Sequence, residues 1–213
     1  MSTPSAARIR YHHGDLHQAL LAAGVELARE GGPDAVVLRE ATRRVGVSPN
    51  AAYRHFADRD ALLNAVSSEA QAALARVIEE EFDLAPATDG PGSARARLRA
   101  IGTAYVRFAR GNPGLFETAF GVPVDLNRSG DPQAAGPSGR TPFELLTMAI
   151  DEYVAAGIMP AGRRPGAEFL AWSAVHGLAM LLIDGPLRSM PDAQKDAMTQ
   201  QVVDMVDAGF TAP

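Results

Sequence analysis

Between residues 38 and 56 the chain passes from one short helix to another across a single glycine, and this constrains the fold more than any other feature. Leu38, Ala41, Thr42 and Val45 recur at i, i+3, i+4 and i+7, the spacing of one buried helix face. Gly46 ends that run, at a place where a left-handed backbone is cheap only for glycine. Ser48-Pro49 then supplies an N-cap and a first-turn proline, opening a third short helix through Phe56. Two short helices joined this way have the length and glycine placement of a helix-turn-helix.

The flanks read the same way. Leu16, Leu20, Ala23 and Leu27 mark a first helix, with Asp15 as its N-cap and Gly31-Gly32-Pro33 as its stop. Asp58 reads as the N-cap of a long fourth helix reaching about Phe82. Helices follow over 93–110, 113–120, 141–156, 166–183 and 192–208. The segment 121–140 holds four glycines and three prolines, and reads as a mobile loop. Strand alternation and hairpin turns are missing, so the expectation is an all-α chain of about nine helices. It divides into a three-helix head, residues 1–60, and a helical body, 61–213.

Composition narrows the class. The chain has no cysteine, which removes disulfides and thiolate metal sites, and His176 has no nearby His or Cys to share a metal. The longest apolar stretch, 169–183, is too short for a typical membrane span and contains His176. The opening MSTPSAARIRYHHGD lacks the apolar run of a secretory leader, so a cytoplasmic protein without membrane contact is expected. Net charge is −5 but unevenly spread. Residues 1–60 carry eight arginines against seven acids, and the remainder twelve basic against eighteen acidic residues. A mildly basic head on an acidic body suits a protein that offers one end to DNA.

On the third helix Pro49, Asn50, Tyr53 and Arg54 face outward if Val45, Val47 and Phe56 pack inward. Arginine pairs with guanine edges and asparagine with adenine edges in the major groove. Tyrosine, histidine and flanking arginines suit phosphates, which fix register without reading sequence. The blander reading, two core helices with a solvated arginine face, leaves this Asn-Tyr-Arg-His cluster unexplained. No serine elbow, phosphate loop or zinc-protease motif appears, so no enzymatic activity and no cofactor are expected.

The run VGVSPNAAYRHFADRDALL resembles the signature of TetR-family repressors: Gly46-Val47-Ser48, then Tyr53-Arg54-His55-Phe56, Arg59 and Leu62-Leu63. That resemblance, which covers residues 13–66, implies DNA contacts from Ser48, Asn50, Tyr53, Arg54, His55 and Arg59. Tyr53 and His55 would meet phosphates, Asn50 and Arg54 bases, and Arg59 the backbone. Arg8, Arg10, Tyr11 and His12 resemble the basic arm that many members carry before the first helix. Three positions depart from the pattern: Val37 where a Ser or Thr cap is usual, Thr42 for a small alanine, and Ala52 for a larger aliphatic residue.

Trp172-Ser-Ala-Val-His176-Gly177 and the stretch 112–120 are similar to the Trp-His-Gly-containing C-terminal domain of one TetR subgroup. This implies an apolar effector cavity, placed by resemblance among Phe108, Phe116, Phe120, Met148, Trp172 and His176. It also implies a homodimer through the last two helices, with Met198, Val202, Met205 and Val206 as an apolar stripe. His176 stands as either a pocket residue or a core histidine with a structural hydrogen bond. The function implied is a repressor that a small apolar effector releases from double-stranded operator DNA. A nucleoid or division-control protein with the same head and no ligand is the alternative.

Overall fold

A computed structural model describes residues 13–84, 90–121 and 131–211. The arm residues Arg8, Arg10, Tyr11 and His12 lie outside them. Among the described residues the chain is nine α-helices and a short 3-10 turn, Ala161–Arg163, with no strand.

The head comprises α1 (His13–Ala35), α2 (Leu38–Val45) and α3 (Pro49–Ala52). Helix α1 starts at His13, so Asp15 is inside it and not its N-cap. Its regular geometry breaks at Gly31 and Gly32, where the sequence places the stop, and resumes for one turn through Pro33. Leu20, Leu27 and Ala28 bury its inner face against Leu38, Ala41, Ala52 and Phe56. Burying a side chain of this size is worth about 1.5–3 kcal/mol, and these residues hold the short helices in place.

Helix α4 (Arg59–Leu84) opens in the head and runs on into the body. Residue 60 therefore falls in its first turn, and the two units share a helix. The body adds α5 (Pro91–Gly111), α6 (Pro113–Gly121), α7 (Pro142–Ala155), α8 (Ala167–Ile183) and α9 (Asp192–Thr211). Their bounds match the sequence expectation to within a few residues. Thr141 caps α7 in a reciprocal box with Glu144, two orphan donors satisfied at one stroke.

The part of the 121–140 segment that is described does not behave as a mobile loop. Asp131 accepts from Ser68 Oγ at 2.9 Å, Ala134 is buried, and Ser138 donates to Glu79 Oε1 from both its backbone and its hydroxyl. Those bonds fasten residues 131–138 along α4 as a strap.

Candidate nucleic-acid interface and effector cavity

The turn between α2 and α3 is built as its residues dictate. Gly46 adopts φ 75°, ψ 31°, and its N–H caps α2 on the Thr42 carbonyl. Val37 gives α2 no side-chain cap; its backbone carbonyl accepts from Glu40 and Ala41 instead. Thr42 is buried, and its hydroxyl is satisfied by the Arg39 carbonyl at 2.7 Å. Ser48 Oγ accepts from the Ala51 N–H at 3.3 Å, closing the N-terminus of α3.

Helix α3 ends at Ala52, short of the expected Phe56, and the chain continues in turns whose last bond runs from the Phe56 N–H to the Ala52 carbonyl at 2.9 Å. Phe56 must turn into the core, where it is 3% exposed, while the chain reaches Asp58. Asp58 Oδ1 accepts from the Ala61 N–H at 2.8 Å, so Asp58 caps α4 as its position suggests.

Ser48, Asn50, Tyr53 and Arg54 all lie exposed on the outer side of this turn. Among the described residues no hydrogen bond or ion pair engages the Arg54 side chain. Three other head arginines are committed. Arg43 pairs with Glu40, holding that carboxyl down at about 2, and Arg44 bridges Glu30 and Glu40. Arg59 donates from Nε to the Val36 carbonyl at 3.0 Å and from Nη2 to the Pro33 carbonyl at 2.7 Å. Its guanidinium thereby braces the link between α1 and α2, and Nη1 is the nitrogen that bonds neither carbonyl. His55 is half-buried beside His17, with ring centroids 6.2 Å apart.

A cavity of about 820 Å³ runs through the body and reaches the head. Its head end is formed by His17, His55 and Phe56. Asn64, Ser67, Ser68 and Gln71 of α4 and Asp131, Gln133 and Ala134 of the strap give it a polar wall. Apolar walls come from Leu98 and Ile101 of α5, Leu146 of α7, Ala171 and Val175 of α8, and Val203 and Val206 of α9. Tyr105, Phe120, Phe143 and Trp172 add aromatic faces.

Tyr105 organises the aromatic side. Its hydroxyl lies 3.0 Å from Trp172 Nε1, which donates to it, and 2.8 Å from His176 Nδ1. The Tyr105–His176 bond carries one proton, given by the hydroxyl when His176 is protonated on Nε2 and by the ring when it is protonated on Nδ1. Phe116 stacks on His176 with centroids 5.5 Å apart, and Phe120 lies 6.1 Å from Trp172.

A family model described as the C-terminal domain of tetracyclin repressor-like proteins matches residues 98–206, and that of the bacterial regulatory proteins of the tetR family matches residues 20–66. The chain belongs to the TetR family. No curated protein matches it. A solved protein of unknown function from Rhodococcus sp. RHA1 is 28% identical, with TM-score 0.74 over 96% of this chain and 100% of that one. FadR from Bacillus subtilis, solved in complex with stearoyl-CoA, is 14% identical with TM-score 0.67, over 91% and 98% of the two chains. A TetR variant from Acinetobacter baumannii AYE, in complex with minocycline, is 19% identical with TM-score 0.63, over 90% and 93%. The last two likenesses concern the fold alone. TetR-family proteins are transcriptional regulators, not enzymes, that bind DNA and small ligands and act as dimers. Among the described residues no helix is long and apolar enough to cross a membrane.

Of the six residues that the TetR resemblance places around an effector, Phe116, Phe120, Trp172 and His176 converge in one aromatic cluster. Phe120 and Trp172 face the cavity, whereas Phe116 and His176 pack behind Tyr105. Phe108 is buried in the core one turn beyond Tyr105. Met148 lies on the other side of α7, beside an outer groove with Glu144, Asp151 and Glu152. Tyr105, the strap and the polar face of α4 are absent from the sequence expectation. Asn64, Ser68 and Gln71 at i, i+4 and i+7 do leave a readable signal: a polar stripe on a helix face flanked by alanine and leucine.

Burial lowers the His176 pKa from its ordinary value near 6.5. The unfolded chain therefore binds more protons than the folded one as pH falls through about 6.5, so stability drops there. His176→Gln keeps an acceptor for Tyr105 but does not titrate. Urea midpoints followed from about pH 7.5 to 5 should decline less steeply in this variant than in the wild type. Parallel declines would remove the buried neutral histidine from the account.

Proposed function

We propose that this protein represses transcription from an operator and lets go when a small, largely apolar molecule fills the cavity. The carrying observation is the cavity itself. Its volume of about 820 Å³ lies within the range of roughly 300–1,000 Å³ usual for ligand sites, and its walls run from α9 to the head. A DNA-organising protein without an effector would have no use for such a space. FadR and the Acinetobacter TetR variant, solved with ligands of very different chemistry, support a ligand-responsive reading without naming the ligand.

In this reading residues 1–60 read DNA and 61–213 hold the effector and the dimer contact. Asn50 and Arg54 face bases, Ser48, Tyr53 and the Nη1 of Arg59 face phosphates, and Arg10 extends the backbone grip. His55 has two roles, because the side chain assigned to a phosphate also lines the cavity. An effector that shifts His55 acts on the DNA surface directly, with leverage limited to its differential affinity for the two states, commonly about 1–3 kcal/mol.

Selection of operator fragments followed by fluorescence anisotropy tests the head. Arg54→Ala should cost about 1–3 kcal/mol and relax preference at one base position. Tyr53→Ala should weaken all sequences alike and flatten the salt dependence. An Arg54→Ala profile unchanged in strength and preference would take the base contact away from Arg54.

A further inference from the structure

With the cavity taken as the effector site, as proposed above, its hydrogen-bonding inventory discriminates between kinds of ligand. The hydroxyls of its polar wall have already given their protons to the protein. Ser67 Oγ and Gln71 Nε2 both donate to the Ala119 carbonyl, at 3.2 and 3.1 Å. Ser68 Oγ donates to Asp131 Oδ2 at 2.9 Å, and Thr141 Oγ1 to Glu144 Oε2 at 3.0 Å. The Trp172 indole donates to Tyr105, whose hydroxyl is also hydrogen-bonded to His176. What the hydroxyls and Asp131 still offer is lone pairs, although Asp131 Oδ1 already accepts from the Gln133 N–H; Gln71 keeps its amide oxygen and its second N–H. Asn64 and Gln133 carry donors and acceptors alike and do not choose; His17 and His55 sit apart at the head end.

Charge points the same way. Asp131 is the one carboxylate on the wall, and neither lysine nor arginine lines the cavity among the described residues. A ligand carboxylate would meet an uncompensated like charge in a partly desolvated space, whereas an ammonium group would meet its counter-charge. Tyr105, Phe120, Phe143 and Trp172 present ring faces that attract cations as well.

We propose that the effector is an amphiphile whose polar group donates hydrogen bonds, with a protonated amine preferred over an alcohol and an alcohol over a carboxylate. Its polar group sits at Asp131 and its apolar part lies along Leu98, Ile101, Trp172 and Val175. Asp131 is then the residue that sets charge preference, and the strap that carries it is a wall of the site.

The full-length protein carries its own reporter, since Trp172 is its one tryptophan and lines the cavity. Trp172 fluorescence is titrated with decylamine, decanol and decanoate near neutral pH, below the concentrations at which they self-assemble. The wild type should bind decylamine at least about tenfold more tightly than decanoate, with decanol between them. Asp131→Asn should reduce the amine-to-carboxylate ratio several-fold while moving decanol least. Decanoate binding as tightly as decylamine, or a ratio that survives Asp131→Asn, overturns the preference while leaving the cavity as a ligand site. If none of the three probes changes Trp172 fluorescence or melting temperature, the effector-site reading itself falls, and the preference with it. The wild-type ratio decides the matter even if the variant is poorly folded.

Discussion

Met205→Asp is expected to convert a dimer into monomers and to reduce operator affinity by about 100-fold or more. Of the seven large apolar side chains exposed among the described residues, five lie on α8 and α9: Phe169, Leu170, Met180, Leu181 and Met205. Leu170 is 69% and Met205 60% exposed, more than a lone chain gains from leaving in water. Ala174 and Gly177 fall between Leu170 and Leu181 at i+4 and i+7, small residues that let a partner helix approach. A face of this kind marks an association surface, and in a twofold dimer each substitution is made twice across the contact. Met205→Asp thus brings two carboxylates into an apolar seam, where burying them unpaired costs several kcal/mol. The loss at the operator follows from geometry. Two heads bound to half-sites about 34–36 Å apart bind as one divalent ligand, and a monomer keeps a single half-site. Light scattering and anisotropy read the two effects separately. A variant that stays dimeric with an unchanged circular dichroism spectrum would move the interface away from α9.

The head is legible in the sequence because its signals are local. Gly46, Ser48 and Asp58 each act within four residues of themselves, so their turn and cap roles are written beside the helices they end or begin. The length of α3 escapes the same reading. Its end is set by where Phe56 finds the core, which is a tertiary matter. The cavity is less legible still. Spacing places Trp172 and His176 on one face of α8, and both do join the aromatic cluster. Which of them faces open space depends on Tyr105, a residue on another helix that comes between His176 and the cavity. The strap was hidden for a similar reason. Glycine and proline content marks 121–140 as loop, but the partners that fasten its second half, Ser68 and Glu79, lie on α4, far away in sequence. Arg59 shows the converse limit. Its place in the TetR signature suggests DNA, while two backbone carbonyls that no motif displays take most of its guanidinium.

Gly114→Ala is expected to destabilise the protein by about 3 kcal/mol or more, at or beyond the upper end of ordinary overpacking. Gly114 lies in the first turn of α6, where that helix abuts the end of the regular part of α1. A Cβ there would stand 2.3 Å from the Ala28 carbonyl oxygen and 2.9 Å from the Gly32 nitrogen. Both atoms are backbone, so no rotamer change relieves the clash, and α1 and α6 must move apart. Gly92, in the first turn of α5, has nothing within 4 Å of the same built atom. Gly92→Ala should therefore be neutral or stabilising by up to about 1 kcal/mol, the intrinsic helix gain of alanine over glycine. Urea denaturation of the pair separates helix propensity from the crossing. The crossing also bears on induction. Helix α6 meets α1 of the head at Gly114, holds α4 through the Ala119 carbonyl, and presents Phe120 to the cavity. Displacement of Phe120 by a ligand is thus felt at the end of α1, two turns away along a rigid helix. In whatever fraction of Gly114→Ala remains folded, the ligand should still quench Trp172 but release less operator. Wild-type stability in Gly114→Ala would show that α1 and α6 are not in backbone contact there, and would remove this route from cavity to head.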